Sequence, residues 1–355
     1  LVAILIGFIG VFLQYMSGWA AIQSFWVYLA GAFTAGFCMC MLNTVVNPML
    51  NTLGGGGNKG NQLVQFGGVC NSLAAVLVTI IMGSLIADAT KAQIADATPA
   101  LMIALGVFAF AFLVLLLVKI PEPAQENEGD KAKDKKYSAF SFRHFNLGIL
   151  AIFLYMGVEV GVPTYVMQYL TTSPDATTPG LGINASIVGM IVAVYWLLML
   201  VGRLLGGMIG GKVSSRAQIT GVSILCLVLV LLGMFLPTDV MVKMPGIDWA
   251  TLPIMTAQVP VGVFALILVG LCTSVMWGGI FNMAVEGLGK YTSIASGAFM
   301  TMVCGGGILI PLQGKLADVF GNFQMSYIVV LVCTAYILFY ALVGSKNVNK
   351  DIPTE

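Results

Sequence analysis

Long apolar runs separated by short polar stretches are the main pattern along the chain. A helix needs about 20 apolar residues to cross the hydrocarbon core of a bilayer. Several runs exceed that length, which is typical of helices that tilt or extend past the bilayer. The pattern therefore predicts an all-α membrane protein with ten spanning helices, at residues 1–18, 25–50, 61–87, 98–119, 145–170, 183–207, 218–236, 258–284, 292–313 and 324–344.

One stretch of the sequence, residues 122–144, has a plainly aqueous character. It holds nine Asp, Glu, Lys or Arg residues before Arg143 and shows no apolar periodicity. A segment of this composition is typical of a flexible linker. We therefore expect an N-terminal unit of four helices at 1–121 and a C-terminal unit of six helices at 145–355, joined by this linker.

Composition and charge support a membrane protein and exclude several other classes. The chain is 59% hydrophobic and 9% charged, whereas soluble domains are about 25% charged. Its net charge of +1 argues against a nucleic-acid partner. The seven cysteines fall in apolar runs, so no disulfide framework, metal site or cofactor is predicted. Thirteen of the 16 Lys and Arg residues fall on the side of the linker and the C-terminus, which the positive-inside rule makes cytoplasmic.

Short similarities between the two units predict an internal repeat. "GFCMCMLN" at 36–43 resembles "GLCTSVMW" at 270–277, and "GSLIAD" at 83–88 resembles "GKLAD" at 314–318. Parallel repeats of this kind are common in transporters. Because the second unit has six spans and the first has four, we expect a parent protein of twelve helices with two of them before Leu1. The repeat also predicts equivalent depths for Asn43 and Trp277, and for Asp88 and Asp318.

Twelve spans in two parallel halves with a charged linker resemble the major facilitator superfamily, and "GRLLGGMIGGKVSSR" is similar to its glycine-rich loop motif. Longer segments resemble one branch, that of the fucose permease and the glucose/galactose transporters. The resemblance implies the major facilitator fold, with ten of its twelve helices present, and cation-coupled sugar uptake across a bacterial inner membrane. The segments that carry it are 42–54, 70–73, 147–170, 195–206 and 281–318.

Glu159 lies near the middle of the apolar run at 150–170. A charge at the bilayer centre costs about 2.5–3.5 kcal/mol on insertion scales, so such a residue faces a wet cavity or a partner. We expect it to accept hydrogen bonds from sugar hydroxyls or to titrate during coupling. The alternative is a protonated structural glutamate between helices. Tyr155 lies one helical turn away on the same face and is expected to line the same cavity.

Other polar and aromatic residues at membrane depth extend the predicted substrate site. Amides both donate and accept hydrogen bonds, which suits sugar hydroxyls, and aromatic rings can stack on a sugar ring. Each residue has a structural alternative, because amides also bridge membrane helices and Trp anchors membrane interfaces. Besides Glu159 and Tyr155, the predicted substrate-binding residues are Asn43, Asn47, Asn71, Gln168, Trp196, Trp277, Asn282 and Gln313.

Arg203 and Glu286 are both predicted at cytoplasmic ends of spans, where they could pair as a gate. The alternative is that two surface charges are solvated separately. Pro48 and Pro163 lie inside spans, and the "GGGI" run lies at 305–308. They predict kinks or breaks of the kind that transporters use as gates.

One departure from the family pattern bears on coupling. Fucose-permease-like members commonly carry glutamate in an L-E-T-x-x-N-P pattern, whereas this chain reads "LNTVVNP" with Asn43 at that position. Because an amide cannot titrate, the sequence predicts sodium coupling or no coupling ion, and it leaves proton coupling open.

The predicted partners are thus a small sugar, a proton or sodium ion and the lipid bilayer, with the chain a monomer. A membrane-embedded enzyme and an exporter are the alternatives to a sugar-uptake protein. A membrane enzyme would need paired acids or His clusters at membrane depth, and an exporter should have a more apolar cavity.

Overall fold

The computed structural model describes residues 1–19, 21–55, 57–85, 93–118, 137–210, 212–247, 254–349 and 351–354. Most of these residues are helical, as the apolar runs predict. The helices are α1 Val2–Ser17, α2 Phe25–Leu53, α3 Gly57–Leu85, α4 Thr98–Leu117, α5 Arg143–Thr171, α6 Ala185–Ile209, α7 Ser215–Phe235, α8 Val261–Thr273, α9 Met276–Val285, α10 Thr292–Thr301, α11 Gly305–Phe320, α12 Phe323–Ser326 and α13 Ile328–Phe339.

The predicted fold class, a bundle of membrane-spanning helices, is confirmed. Within the described residues, nine helical segments are long and apolar enough to cross a membrane. The first predicted span corresponds to α1, an apolar helix of 16 residues that is shorter than the usual spanning length. One span, Val261–Val285, consists of α8 and α9 with a break between Thr273 and Met276, and another, Ile294–Phe320, contains a 3-10 turn at Met302–Cys304.

The helix break before the "GGGI" run agrees with expectation, because the 3-10 turn at Met302–Cys304 ends where α11 begins. The break after Thr273 has no proline and was not predicted. Pro163 lies inside α5, which nevertheless continues as one helix from Arg143 to Thr171. A proline inside a membrane helix can be accommodated when neighbouring groups satisfy the freed carbonyl.

A short β-hairpin joins α7 to α8 where the sequence predicts a loop. Strand β1 (Met241–Ile247) pairs antiparallel with β2 (Ile254–Pro260), and Lys243 stands opposite Gln258. Met244 and Val259 are buried against the helices. The hairpin has a weak sequence signal, because both strands contain a proline and β1 also contains a glycine, residue types that are depleted in strands.

The hydrophobic core lies in the C-terminal half, where the buried apolar residues form one cluster between Ala139 and Ala341. Helix α5 is at its centre and contacts α6, α8, α9, α11 and α13. By contrast, none of the residues of α4, all of which are described, is buried. A helix that is apolar all round and unburied in the protein is suited to lipid. The main contact between the helices that precede residues 122–144 and those that follow them is between α3 and α6.

The predicted linker lies mostly outside the described residues, which omit 119–136. Its last part is described and is packed rather than extended. A 3-10 turn at Ala139–Ser141 is capped by Ser138, and Phe142 is fully buried against the core. The division into two halves stays a prediction, as does the repeat, because Asp88 also lies outside the described residues.

Candidate functional site

Glu159 and Arg203 form a buried ion pair between α5 and α6. Arg203 Nη2 donates to Glu159 Oε1 at 3.3 Å, and their side chains are 6% and 11% exposed, respectively. A lone charge in a membrane span is costly, whereas a paired and hydrogen-bonded one is tolerated. Each residue therefore supplies the counter-charge that lets the other lie inside the bundle.

Arg203 also connects the two halves of the chain. Its Nη1 donates to the Gly68 carbonyl of α3 at 2.5 Å. One turn further along α6, the Gly207 carbonyl accepts a hydrogen bond from Gln62 Nε2 of α3 at 3.0 Å. The same guanidinium thus contacts an acid within the C-terminal half and the backbone of the N-terminal half.

Two buried tyrosines hold Glu159 beside the helix break. The hydroxyl of Tyr195 donates to the Glu159 carbonyl at 2.9 Å and lies 3.2 Å from Thr273 Oγ1. The hydroxyl of Tyr155 donates to the Thr273 carbonyl at 3.2 Å. Thr273 is the last residue of α8, where the helix stops before α9. The two tyrosine hydroxyls therefore connect α5, the helix that carries Glu159, to the span formed by α8 and α9.

The glycine-rich motif of α6 packs against this same break. A methyl group at Gly202 would overlap Ser274, and one at Gly206 would overlap Val275. Small residues let membrane helices approach closely, so the motif brings α6 against the break between α8 and α9. Both glycines are therefore in close contact with the residues at the break.

The predicted site residues of the N-terminal half fall into separate places. The Asn47 amide donates to the Asn43 carbonyl at 3.2 Å and lies 3.3 Å from Asn43 Oδ1, so these two residues of α2 are partners of each other. Asn71 is exposed on α3, three residues beyond Gly68. Asn71 is therefore close along the chain to the contact made by Arg203, and the Asn43–Asn47 pair lies on a different helix.

Aromatic residues expected to stack on substrate lie among other rings. Trp196 is half-buried and meets Tyr195 edge-on, with ring centroids 5.2 Å apart. Trp277 is half-buried and stacks on Phe281 at 5.7 Å. Trp196 is thus next to the Glu159 network through Tyr195, whereas Trp277 lies on α9, beyond the break.

Two predicted amides of the C-terminal half lie away from Glu159. Asn282 Nδ2 donates to Ser215 Oγ at 3.0 Å, which joins α9 to the first residue of α7. Gln168 is exposed and lies nine residues beyond Glu159 on α5, about 14 Å along the helix axis. The structure therefore does not gather the whole predicted set around one point.

Gln313 packs against α5 at Gly161. It is 1% exposed, and its Nε2 lies 3.5 Å from Ser326 Oγ. A methyl group at Gly161, two residues from Glu159, would lie 2.7 Å from Gln313 Oε1. Gln313 Oε1 is buried and has no hydrogen-bond partner among the described residues. It could therefore accept a hydrogen bond from a donor group that enters between α5 and α11.

The expected pair of Arg203 with Glu286 is not the pair that forms in this structure. Arg203 contacts Glu159 instead, while Glu286 is exposed at the end of α9. A gating role for either residue stays a prediction. The difference arises from the position of Arg203, which lies inside α6 and not at its end. A charge within a membrane span needs a nearby counter-charge, and Glu159 supplies it. His144 is fully buried, with its Nε2 3.0 Å from the Glu286 carbonyl.

Sequence reasoning singled out Glu159 and Tyr155 but did not predict the contacts that they make with Arg203 and Thr273. Arg203 was counted among the cytoplasmic charges, although an acid and an arginine in neighbouring spans signal an ion pair. Tyr195 and Thr273 carry no distinctive pattern in the sequence. No group of three or more His, Cys, Asp or Glu residues that could hold a metal occurs in the part of the chain that the structure describes.

Nine helical segments of the described residues are long and apolar enough to cross a membrane, and they enclose a buried ion pair, which indicates a multi-pass membrane protein. A model of the Major Facilitator Superfamily matches residues 1–311. The chain belongs to this superfamily, whose members are transporters and not enzymes.

Named relatives and a solved structure agree with that assignment. The glucose/galactose transporter of Brucella abortus biovar 1 (strain 9-941) is 27% identical over 334 residues, which are 92% of this chain and 74% of that protein. The L-fucose-proton symporter of Escherichia coli (strain K12) is 23% identical over 357 residues, covering 92% and 74%. The crystal structure of the E. coli fucose:proton symporter FucP matches with a TM-score of 0.72 and 20% identity, covering 98% of this chain and 83% of that one. This structural likeness shows the fold.

Proposed function

We propose that the protein carries a neutral hexose, of the glucose, galactose or fucose class, across a bacterial inner membrane by cation-coupled symport. Relatives named for glucose/galactose transport and for L-fucose-proton symport support the sugar class. The observation that carries the mechanism is the position of Arg203 between Glu159 and the Gly68 carbonyl. It joins an ionisable acid directly to the contact between the two halves.

Alternating access requires that substrate and ion bind one arrangement of the halves better than another. Neutralising Glu159 removes the counter-charge of Arg203, so the guanidinium loses one of its two contacts. The hydrogen bond from Arg203 to the Gly68 carbonyl of α3 is then expected to change as well. Binding of an ion or sugar at Glu159 is thereby linked to the contact between α3 and α6. This contact must rearrange when the two halves move relative to each other.

Sugar binding can act on the same group. A carboxylate accepts hydrogen bonds from two neighbouring hydroxyls, and a guanidinium donates to them. A hexose that reaches Glu159 therefore competes with Arg203 for the carboxylate. Sugar and cation thus meet at one buried pair, which is the requirement for coupling their movements.

We propose that the coupling ion is a proton at Glu159. Arg203 lowers the affinity of the carboxylate for any cation, whether a proton or sodium. A proton binds a single carboxylate oxygen covalently, however, whereas a hard metal cation also needs several further oxygen ligands. The amide of Asn43 favours sodium or no ion, and that prediction stands as the competing outcome.

The predicted orientation completes the proposal. The excess of Lys and Arg on one side supports a cytoplasmic linker and C-terminus, with the protein a monomer in the lipid bilayer. The β1–β2 hairpin then lies on the outer side.

Uptake by the protein reconstituted in liposomes tests the function. Labelled glucose, galactose and fucose are each offered under an imposed proton gradient, and accumulation of at least one of them is expected. Glu159→Gln should abolish gradient-driven accumulation, while Asp239→Asn, an exposed acid at the end of α7, should leave it unchanged. Failure of all three sugars to enter would overturn the substrate class, and full accumulation by Glu159→Gln would overturn the mechanism.

A further inference from the structure

A polar pocket lies where α5 and α11 end, away from the Glu159–Arg203 pair. Its volume is about 690 Å³, within the range of about 300–1,000 Å³ typical of small-molecule sites. It lies at the same end of the bundle as the β1–β2 hairpin, because α5 and α7 run in the same direction through alternating spans. The walls are the last turns of α5, the loop that follows it, the C-terminal part of α11 and the start of α12. Its polar lining is Gln168, Thr172, Thr177, Thr178, Lys315 and Asp318.

The walls of this outer pocket are held in place without a ligand. Thr178 is 5% exposed, and its hydroxyl donates to Asp318 Oδ1 at 3.0 Å, which ties the loop to α11. The loop also folds back on α5, because the Gly182 amide donates to the Thr172 carbonyl at 2.9 Å. A preformed pocket loses little conformational freedom on binding.

The charge of the pocket favours a neutral ligand. Asp318 and Lys315 are both exposed, and they lie three residues apart on α11, so a carboxylate and an ammonium group nearly cancel. An ion of either sign would meet one attractive and one repulsive group. A neutral molecule rich in hydroxyls can instead donate to Asp318 and accept from Lys315.

The remaining lining groups suit a sugar ring. Gln168 is exposed and offers an amide that both donates and accepts, and Thr172 offers a hydroxyl. Tyr165 uses its hydroxyl to donate to the Ile310 carbonyl at 2.7 Å, so its contribution to the lining is mainly apolar. With Phe323, it supplies aromatic surface for the apolar face of a monosaccharide.

We propose that the outer pocket is a second binding site for a neutral monosaccharide, separate from the region of Glu159. Gln168 is thereby assigned to this site and not to the central one. The inference rests on the proposed function for the identity of the sugar. A sugar would therefore bind transiently at the outer end of the C-terminal half, either before it reaches the Glu159–Arg203 pair or after it leaves that pair.

Equilibrium dialysis of the full chain in lipid nanodiscs, with radiolabelled glucose, galactose or fucose, tests the proposal. Wild-type protein should bind about two sugars per chain. Asp318→Asn keeps the Oδ1 atom that Thr178 donates to but removes the charge, so the loop should stay in place. It should weaken one of the two sites about tenfold or more, since hydrogen bonds to charged groups are the stronger ones.

Gln168→Ala should weaken the same site. Matched controls are Asp239→Asn and Gln258→Ala, an exposed acid and an exposed amide at the same end of the bundle but outside the pocket. Both controls should still bind two sugars. Glu159→Gln should lose the central site and retain one sugar, whose binding is weakened by Asp318→Asn.

The outcomes separate this inference from the proposed function. One sugar per chain in the wild type, lost in Glu159→Gln and unaffected by Asp318→Asn and Gln168→Ala, would overturn the outer site and leave the proposed function intact. Binding lost in Asp318→Asn but unchanged in Glu159→Gln would support the outer site and count against the central role of Glu159. Absence of any sugar binding would overturn both.

Discussion

Glu159 and Arg203 pair at 3.3 Å inside the helix bundle, although their residue numbers place them in different spans. Neither side chain is more than 11% exposed. The pair is significant because Arg203 has a further partner, the Gly68 carbonyl of α3. A single side chain therefore contacts both the acid and the backbone of α3, with no intermediate residues.

The first prediction separates a structural from a transport role for this pair. Breaking a buried pair by removing one partner costs roughly 3–5 kcal/mol, whereas replacing both partners by apolar groups is often neutral or stabilising. Glu159→Gln is therefore expected to lower both the melting temperature and transport. The double variant Glu159→Leu with Arg203→Met, in which both partners are apolar, is expected to regain the melting temperature but not transport.

Thermal unfolding in detergent and sugar uptake in liposomes measure the two effects. If the double variant regains uptake together with its stability, the ion pair is a packing element and the proposed coupling is wrong. Asp239→Asn, with an acid in an exposed turn, serves as the control that changes charge without touching the pair.

The second prediction concerns Gly68, whose carbonyl receives the other arm of Arg203. A methyl group added at Gly68 would lie 3.1 Å from both Cδ and Nη1 of Arg203, which is tighter than an ordinary contact. Gly68→Ala is expected to displace the guanidinium and to reduce the uptake rate several-fold, while the fold is retained. Gly36→Ala is the matched control, because nothing lies within 4 Å of the added atom.

Initial rates of uptake, with expression and melting temperature recorded in parallel, give the comparison. Equal rates for Gly68→Ala and Gly36→Ala would show that the contact between Arg203 and α3 does not limit transport. A lower melting temperature with an unchanged rate would assign Gly68 to packing alone.

The positions of the helices were largely predictable from the sequence, because apolar runs of spanning length have few alternative structures in a membrane. The break after Thr273 was not predictable, since no proline or run of glycines lies at residues 273–276. The β1–β2 hairpin was not predicted either, because both strands contain proline and their alternation of polar and apolar residues is weak.

The candidate site was predictable only in part. Glu159 stands out because an acid in a membrane span is rare. Its partner was harder to find, because Arg203 lies near enough to a predicted span end to be counted as a surface charge. The contacts of Asn43 with Asn47, and of Asn282 with Ser215, depend on helix rotation and packing, which the sequence pattern does not specify.

The third prediction uses two tyrosines that donate to the backbone of the same helix. Tyr195 donates to the Glu159 carbonyl and Tyr327 donates to the Val162 carbonyl, and both are buried. Each Tyr→Phe change should cost about 1 kcal/mol of stability, the usual worth of one hydrogen bond. Tyr195→Phe alone should also change the KM for sugar, because its hydroxyl lies against Thr273 at the break between α8 and α9. Parallel measurements of KM and melting temperature decide this, and an equal effect of both changes on KM would contradict it.

The last prediction concerns the coupling ion, where two features of the chain disagree. The amide of Asn43 cannot carry a proton and favours sodium or no ion, whereas the carboxyl group of Glu159 can bind a proton. We expect uptake to follow an imposed proton gradient, to be lost in Glu159→Gln, and to persist in Asn43→Ala. Proteoliposomes given a proton gradient, a sodium gradient, or neither, measure the three cases separately. Uptake driven by sodium alone, with Asn43→Ala defective, would reverse the assignment and make the amide of Asn43 part of a cation site. Equal uptake in all three conditions would make the protein a facilitator, and Glu159 would then serve sugar binding without coupling.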